Sequence, residues 1–203
     1  TLIQSMADYE NMFGGPPAEK VTLWLAAETH VIDTTLNQTF YLYHSLRLFF
    51  KNGGRNCMIV SVGDYSSPIS AAALAQGLSV IEKSPEPTII VMPEAVATEK
   101  HGVPLYVAAL AQCANVHNRM VICDLGHHTD DQDFRLVVEA FRNEIGHEHL
   151  KYGAAYGPWL ISDFRRSIRF ADFTLRRKTD DTVILPESLT SHATIPELTS
   201  PIR

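Results

Sequence analysis

The chain has 203 residues, 45% hydrophobic and 20% charged, with a net charge of -6 and the charges interspersed. That length can bury a real core without staples, and no basic patch invites nucleic acid. No apolar run approaches the roughly 18–20 residues needed to cross a bilayer. The expected partners therefore include neither nucleic acid nor membrane. Ser5 with Asp8 three residues on predicts a helix start, and Gly14-Gly15-Pro16-Pro17 stops that helix. Residues 21–31 read as a strand, with Leu23, Leu25 and Val31 among the apolar positions. Residues 39–51 read as a helix in which Leu42, Leu46, Phe49 and Phe50 form one apolar stripe, so both phenylalanines are expected inside. Asn52-Gly53-Gly54 ends it.

Residues 57–62 form a short continuous apolar run, the pattern of a strand covered on both faces. The unit then recurs. Ser67-Pro68 predicts a helix start, followed by a stripe of Leu74, Leu78 and Ile81. Residues 88–92 read as a strand closed by Pro93. Pro104 opens a helix with Tyr106, Leu110 and Cys113 on one face, and residues 120–123 make the next strand. Phe134, Val137, Val138, Phe141 and Ile145 are the cleanest stripe, capped by Gly146, and residues 154–161 read as a further strand. Beyond about Ser162 the alternation fades. Residues 163–178 carry five arginines and one lysine, and residues 180–203 contain three prolines.

Strand and helix in alternation, with short turn-rich links, predict an α/β fold: a parallel-rich sheet flanked by helices with right-handed crossovers. Residues 1–162 are expected to form the core domain. Residues 163–203 are expected to be an irregular edge, or the start of a C-terminal module cut short. The chain begins at Thr1 without an initiator Met and is expected to be a piece of a longer protein.

Cys57, Cys113 and Cys123 are odd in number and far apart, which fits small buried hydrophobes better than a disulfide framework. The strongest enzyme-like stretch is Asp124-Leu125-Gly126-His127-His128-Thr129-Asp130-Asp131, after a predicted strand, where open α/β sheets place ligands. Histidine and aspartate together hold divalent metals. Adjacent His127 and His128 diverge, however, and Thr129 or Asp130 makes a good N-cap for the next helix, so a capped solvent loop is expected and no metal. His147 and His149 lack a third ligand nearby, and His44 lies beside an apolar stripe. There is no GxSxG, no Walker A and no GxGxxG after a strand. No catalytic, cofactor-binding or metal residue is assigned. Arg165, Arg166, Arg169, Arg176, Arg177 and Lys178 interleave with Phe164, Ile168, Phe170, Phe173 and Leu175, and this segment is expected at an interface with an acidic neighbour.

Several stretches together resemble the phage tail sheath family, whose relatives include pyocins, extracellular injection particles and type VI secretion sheaths. The opening Ile3-Gln4-Ser5-Met6-Ala7-Asp8-Tyr9 followed by Phe13-Gly14-Gly15-Pro16 is similar to the family's entry helix and turn. Tyr43-His44-Ser45-Leu46-Arg47-Leu48-Phe49-Phe50-Lys51-Asn52-Gly53-Gly54 resembles its long helix with an aromatic pair. The stretch from Arg119 to Asp124 resembles an Arg-led strand ending in Asp, and Ala154-Ala155-Tyr156-Gly157-Pro158-Trp159-Leu160 resembles a strand with Tyr and Pro-Trp. Gly157 stands where a second aromatic is common, and Leu125-Gly126 where proline is frequent.

The resemblance implies a subtilisin-like α/β core without a catalytic triad and a structural subunit that needs no cofactor. Its partners would be neighbouring sheath subunits, an inner tail tube protein and a baseplate. Such subunits assemble in the cytoplasm and end in a virion tail or tail-like particle. Terminal arms link subunits in the family, so residues 1–203 alone are expected not to form tubes. The alternatives are an α/β hydrolase or metal-dependent enzyme using the Asp124 to Asp131 loop, and a regulatory binding domain that does not assemble.

Overall fold

The computed structural model describes residues 1–27, 30–36, 40–127, 133–160, 162–164, 168 and 172–184. In chain order the elements are β1 (Leu2–Ile3), α1 (Met6–Phe13), β2 (Val21–Ala27), β3 (His30–Leu36), α2 (Leu42–Lys51), β4 (Cys57–Met58) and α3 (Ala71–Glu82). They continue with β5 (Ile89–Val91), α4 (Val103–Val116), β6 (Met120–Asp124), α5 (Phe134–Ile145), β7 (Gly153–Tyr156), β8 (Phe173–Arg177) and β9 (Val183–Ile184). Two compact units result: Thr1–Pro16 with Phe40–Asp163, and Pro17–Thr39 with Phe164–Arg203.

The first unit is α/β. Strands β5, β6 and β7 form a three-stranded parallel sheet, with Ile90 opposite Val121 and Ile122 opposite Ala154. Strand side chains alternate between faces, and among the described residues of this unit only one face is packed. Ile90, Val121 and Cys123 join Tyr106, Ala109, Leu110 and Cys113 of α4, with Leu78 of α3 and Ile145 of α5, in one buried cluster. A second cluster holds α1, α2, β1 and β4 together through Ile3, Tyr9, Tyr43, Leu46 and Ile59. Tyr43 Oη donates to Glu10 across that cluster.

Local rules explain most boundaries. The Ser5 side chain accepts from Asp8 N, an orphan donor of the first turn, at 3.1 Å, while Asp8 accepts from Gln4 N just before the cap at 2.9 Å. Gly14 ends α1 at φ 90°, a left-handed conformation that glycine adopts without steric cost. The cap of α3 is Ser70, not Ser67, and accepts from Ala73 N. The cap of α5 is Asp133, rather than Thr129 or Asp130.

Three expectations are corrected. Residues 57–62 do not join the parallel sheet: only Cys57 and Met58 are paired, antiparallel to β1. Residues 21–31 are not one strand but most of a hairpin, β2 against β3. Phe49 is 41% exposed, because α2 turns Tyr43 and Leu46 inward and leaves Phe49 and Leu48 outside.

The second unit is a four-stranded sheet in the order β3-β2-β8-β9. Strands β2 and β8 are parallel, with Leu23 opposite Leu175, and both outer pairs are antiparallel. Val21, Leu23, Leu25, Leu175 and Ile184 are buried together. Two distant stretches thus build one sheet, which a reading of residues 163–203 as a separate irregular segment does not anticipate.

Candidate functional site

The strands β5, β6 and β7 end at Val91, Asp124 and Tyr156, so the loops that follow them gather at one end of the sheet. Asp124 is the last residue of the central strand. Its N–H donates to Tyr106 Oη at 3.3 Å, and burial pushes its carboxyl above the usual aspartate range. Burial also raises the Tyr106 phenol. Beyond Asp124 the chain is tied to the β7 loop: Leu125 N donates to Tyr156 O at 3.1 Å and Trp159 Nε1 donates to Leu125 O at 2.7 Å. His127 and Tyr41 both set ring edges against Trp159, with centroids 5.5 and 5.0 Å away.

Two glycines lie where a Cβ would crowd a neighbouring side chain. A Cβ on Gly126 would lie 2.8 Å from the His101 ring, and one on Gly157 would lie 2.8 Å from both Leu125 and Phe134. A larger residue at 157 would have to displace them.

Glu94, in the 3-10 turn Pro93–Ala97 after β5, reaches the start of α2. Its carboxylate accepts from Leu42 N at 2.8 Å and Tyr41 N at 3.2 Å. Tyr41, the local cap residue, offers no side-chain cap of its own, so Glu94 supplies it from 52 residues away. Burial raises the Glu94 carboxyl above its ordinary value of 4.5, although the backbone donors pull it down. The folded chain therefore takes up this proton more readily than the unfolded chain. The stability linked to this group is full below 4.5 and is lost as pH rises through the raised folded value. Glu94→Gln should flatten that dependence, so that on acidification from neutral pH towards 4.5 the urea midpoint of wild type gains on that of the variant. Glu94→Ala, which removes the acceptor, should cost about 1–2 kcal/mol at neutral pH.

The other sequence candidates are scattered. His128, Thr129, Asp130 and Asp131 lie outside the described residues. His147 and His149 are exposed, with His149 Nε2 3.9 Å from Glu148. His44 packs its ring edge-on to Tyr43. Among the described residues no three His, Cys, Asp or Glu side chains are grouped to hold a metal. Cys113 and Cys123 are buried. Burial lifts the Cys113 thiol and, with help from Asp124, pushes Cys123 up to about 12, so both stay protonated at neutral pH.

The basic segment is partly consumed within the chain. Arg176 pairs with Asp181 at 2.7 Å, Arg177 with Asp180 at 3.4 Å and Lys178 with Asp33 at 3.1 Å. Within the chain itself, then, these three charges each have an acidic partner at the surface. Arg165, Arg166 and Arg169 lie outside the described residues.

Sequence reasoning missed two residues. Glu94 shows only as a carboxylate after a strand, with nothing to say what it caps. Arg119 stands in the Arg-led strand, yet its task is invisible there: the buried guanidinium donates to Ile81 O at 2.8 Å and Ser84 O at 2.6 Å at the end of α3.

Among the described residues β5 and β7 are the outer strands of the three-stranded sheet, and β3 and β9 of the four-stranded one. No described helix is long and apolar enough to cross a membrane. No family model matches the sequence, and no curated protein matches it.

Proposed function

We propose that the chain is part of a contractile tail sheath subunit, which self-assembles into a helical tube around an inner tube and contracts to drive injection. Its partners on this reading are neighbouring sheath subunits, the tube protein and a baseplate, and it uses no cofactor. The subunit is assembled in the cytoplasm and ends in a phage tail or tail-like particle. The α/β unit would be a subtilisin-like core without a triad.

The observation that carries the proposal is that the three- and four-stranded sheets both end in outer strands with no further neighbour among the described residues. Strand addition at such edges links subunits through main-chain hydrogen bonds. Repeated without closure, head-to-tail contacts give a helical array. The stretches that resemble the family also do structural work: Phe13-Gly14 closes α1, Asn52-Gly53 closes α2, Arg119 closes α3, and Trp159 ties β7 to β6.

Electron microscopy of the complete subunit tests this. Tubes or stacked rings are expected; dispersed monomers under every assembly condition would reject it.

A further inference from the structure

We infer that the unpacked face of the β5–β6–β7 sheet docks the C-terminal end of α2 from a second copy of this chain. The inference deepens the sheath reading and rests on it for the place of the contact in an array. Along β5 and β6 the packed side chains are Ile90, Val121 and Cys123. The alternate positions, Ile89, Val91 and Met120, are exposed by 51%, 50% and 37%. Register places Ile122, Ala154, Asp124 and Tyr156 on the same side. Parallel sheets are almost always covered on both faces, because both carry apolar side chains. Among the described residues of the first unit, this one is covered on one.

The occupant must bring apolar side chains and a single cation. Among the described strand residues Asp124 is the only charged one on that face, at its carboxyl-end rim, and its carboxylate makes no ion pair among the described residues. The chain carries the complement on its own surface. Leu48 and Phe49 of α2 are exposed, and the helix ends in the Asn52-Gly53-Gly54 turn. Arg55 follows, exposed and likewise without an ion pair among the described residues. Lys51, on the same helix, is held by Asp163 at 2.9 Å. Apolar pair plus guanidinium thus meets apolar band plus carboxylate. The two patches differ, so the contact is head-to-tail and propagates instead of closing as a dimer.

Sedimentation velocity over a concentration series tests the contact. The wild-type chain should grow with concentration. Val91→Asp and Leu48→Asp, both at exposed positions, should each remain monomeric, while their equimolar mixture should form a 1:1 dimer and stop, since each variant retains the half the other lacks. Asp124→Arg and Arg55→Asp should each weaken association a few-fold, as expected for a partly exposed pair, and the two together should restore it. A wild-type chain monomeric throughout, variants that associate as wild type does, or a mixture that fails to pair would overturn the inference. In the complete subunit, tubes that survive Val91→Asp would reject this contact and leave the sheath reading standing. No tubes from wild type would reject the sheath reading, and sedimentation would still decide the contact.

Discussion

Tyr106→Ala is expected to destabilise the first unit by about 3–5 kcal/mol, as for other fully buried aromatics. Among the described residues Tyr106 is the largest fully buried side chain, and it belongs to the cluster that joins α4 to the parallel sheet. Tyr106→Phe separates packing from polarity. It keeps the ring but leaves Asp124 N without its acceptor, and should cost only about 1–2 kcal/mol. With two compact units a single unfolding curve is ambiguous. The two tryptophans resolve it, because Trp24 lies in one unit and Trp159 in the other. In a Trp24→Phe background, urea unfolding followed by Trp159 fluorescence should show the loss. An unchanged midpoint for Tyr106→Ala would mean that α4 does not anchor the sheet.

Arg119→Ala should cost about 2–4 kcal/mol by the same measurement. Arg119 is 4% exposed. Its Nε donates to Asn118 Oδ1 at 2.9 Å, while the two ends of the fork reach Ile81 O and Ser84 O. Hydrogen bonds from a charged donor are worth roughly 1.5–3 kcal/mol, and a cation at a helix C-terminus adds about 0.3–1 kcal/mol. Truncation would leave these carbonyls without that donor. Arg119→Lys should recover less than half, since an ammonium lacks the planar fork that spans both acceptors. Equal stability of the Lys variant and wild type would show that charge alone matters.

The alternating α/β pattern of residues 71–156 was legible because it is local. Stripes such as Leu74, Leu78 and Ile81 face one packed cluster, and periodicity records that directly. Less legible was anything set by distant partners. The apolar run at 57–62 looks like a central strand, yet its pairing is with Leu2 and Ile3. Phe49 belongs to the apparent stripe of α2, yet Tyr43, a residue with a polar tip, takes the inward place. The second sheet was largely hidden, because the parallel match of Leu23 with Leu175 leaves no trace in either segment alone. At the candidate site the Asp124 loop was found from its position after a strand, but the jobs of Glu94 and Arg119 depend on where α2 and α3 end in space.

The pairing of β2 with β8 also sets a timetable for synthesis. Val21 meets Phe173, so the hairpin leaves the ribosome long before its central neighbour is made. At roughly 5–20 residues per second the interval is on the order of ten to thirty seconds. Throughout it the side of the hairpin bearing Val21, Leu23 and Leu25 lacks the Leu175 and Ile184 side chains that later bury it. The nascent chain thus passes through a vulnerable stage, and a holdase that shields short apolar hairpins would act on this segment before release.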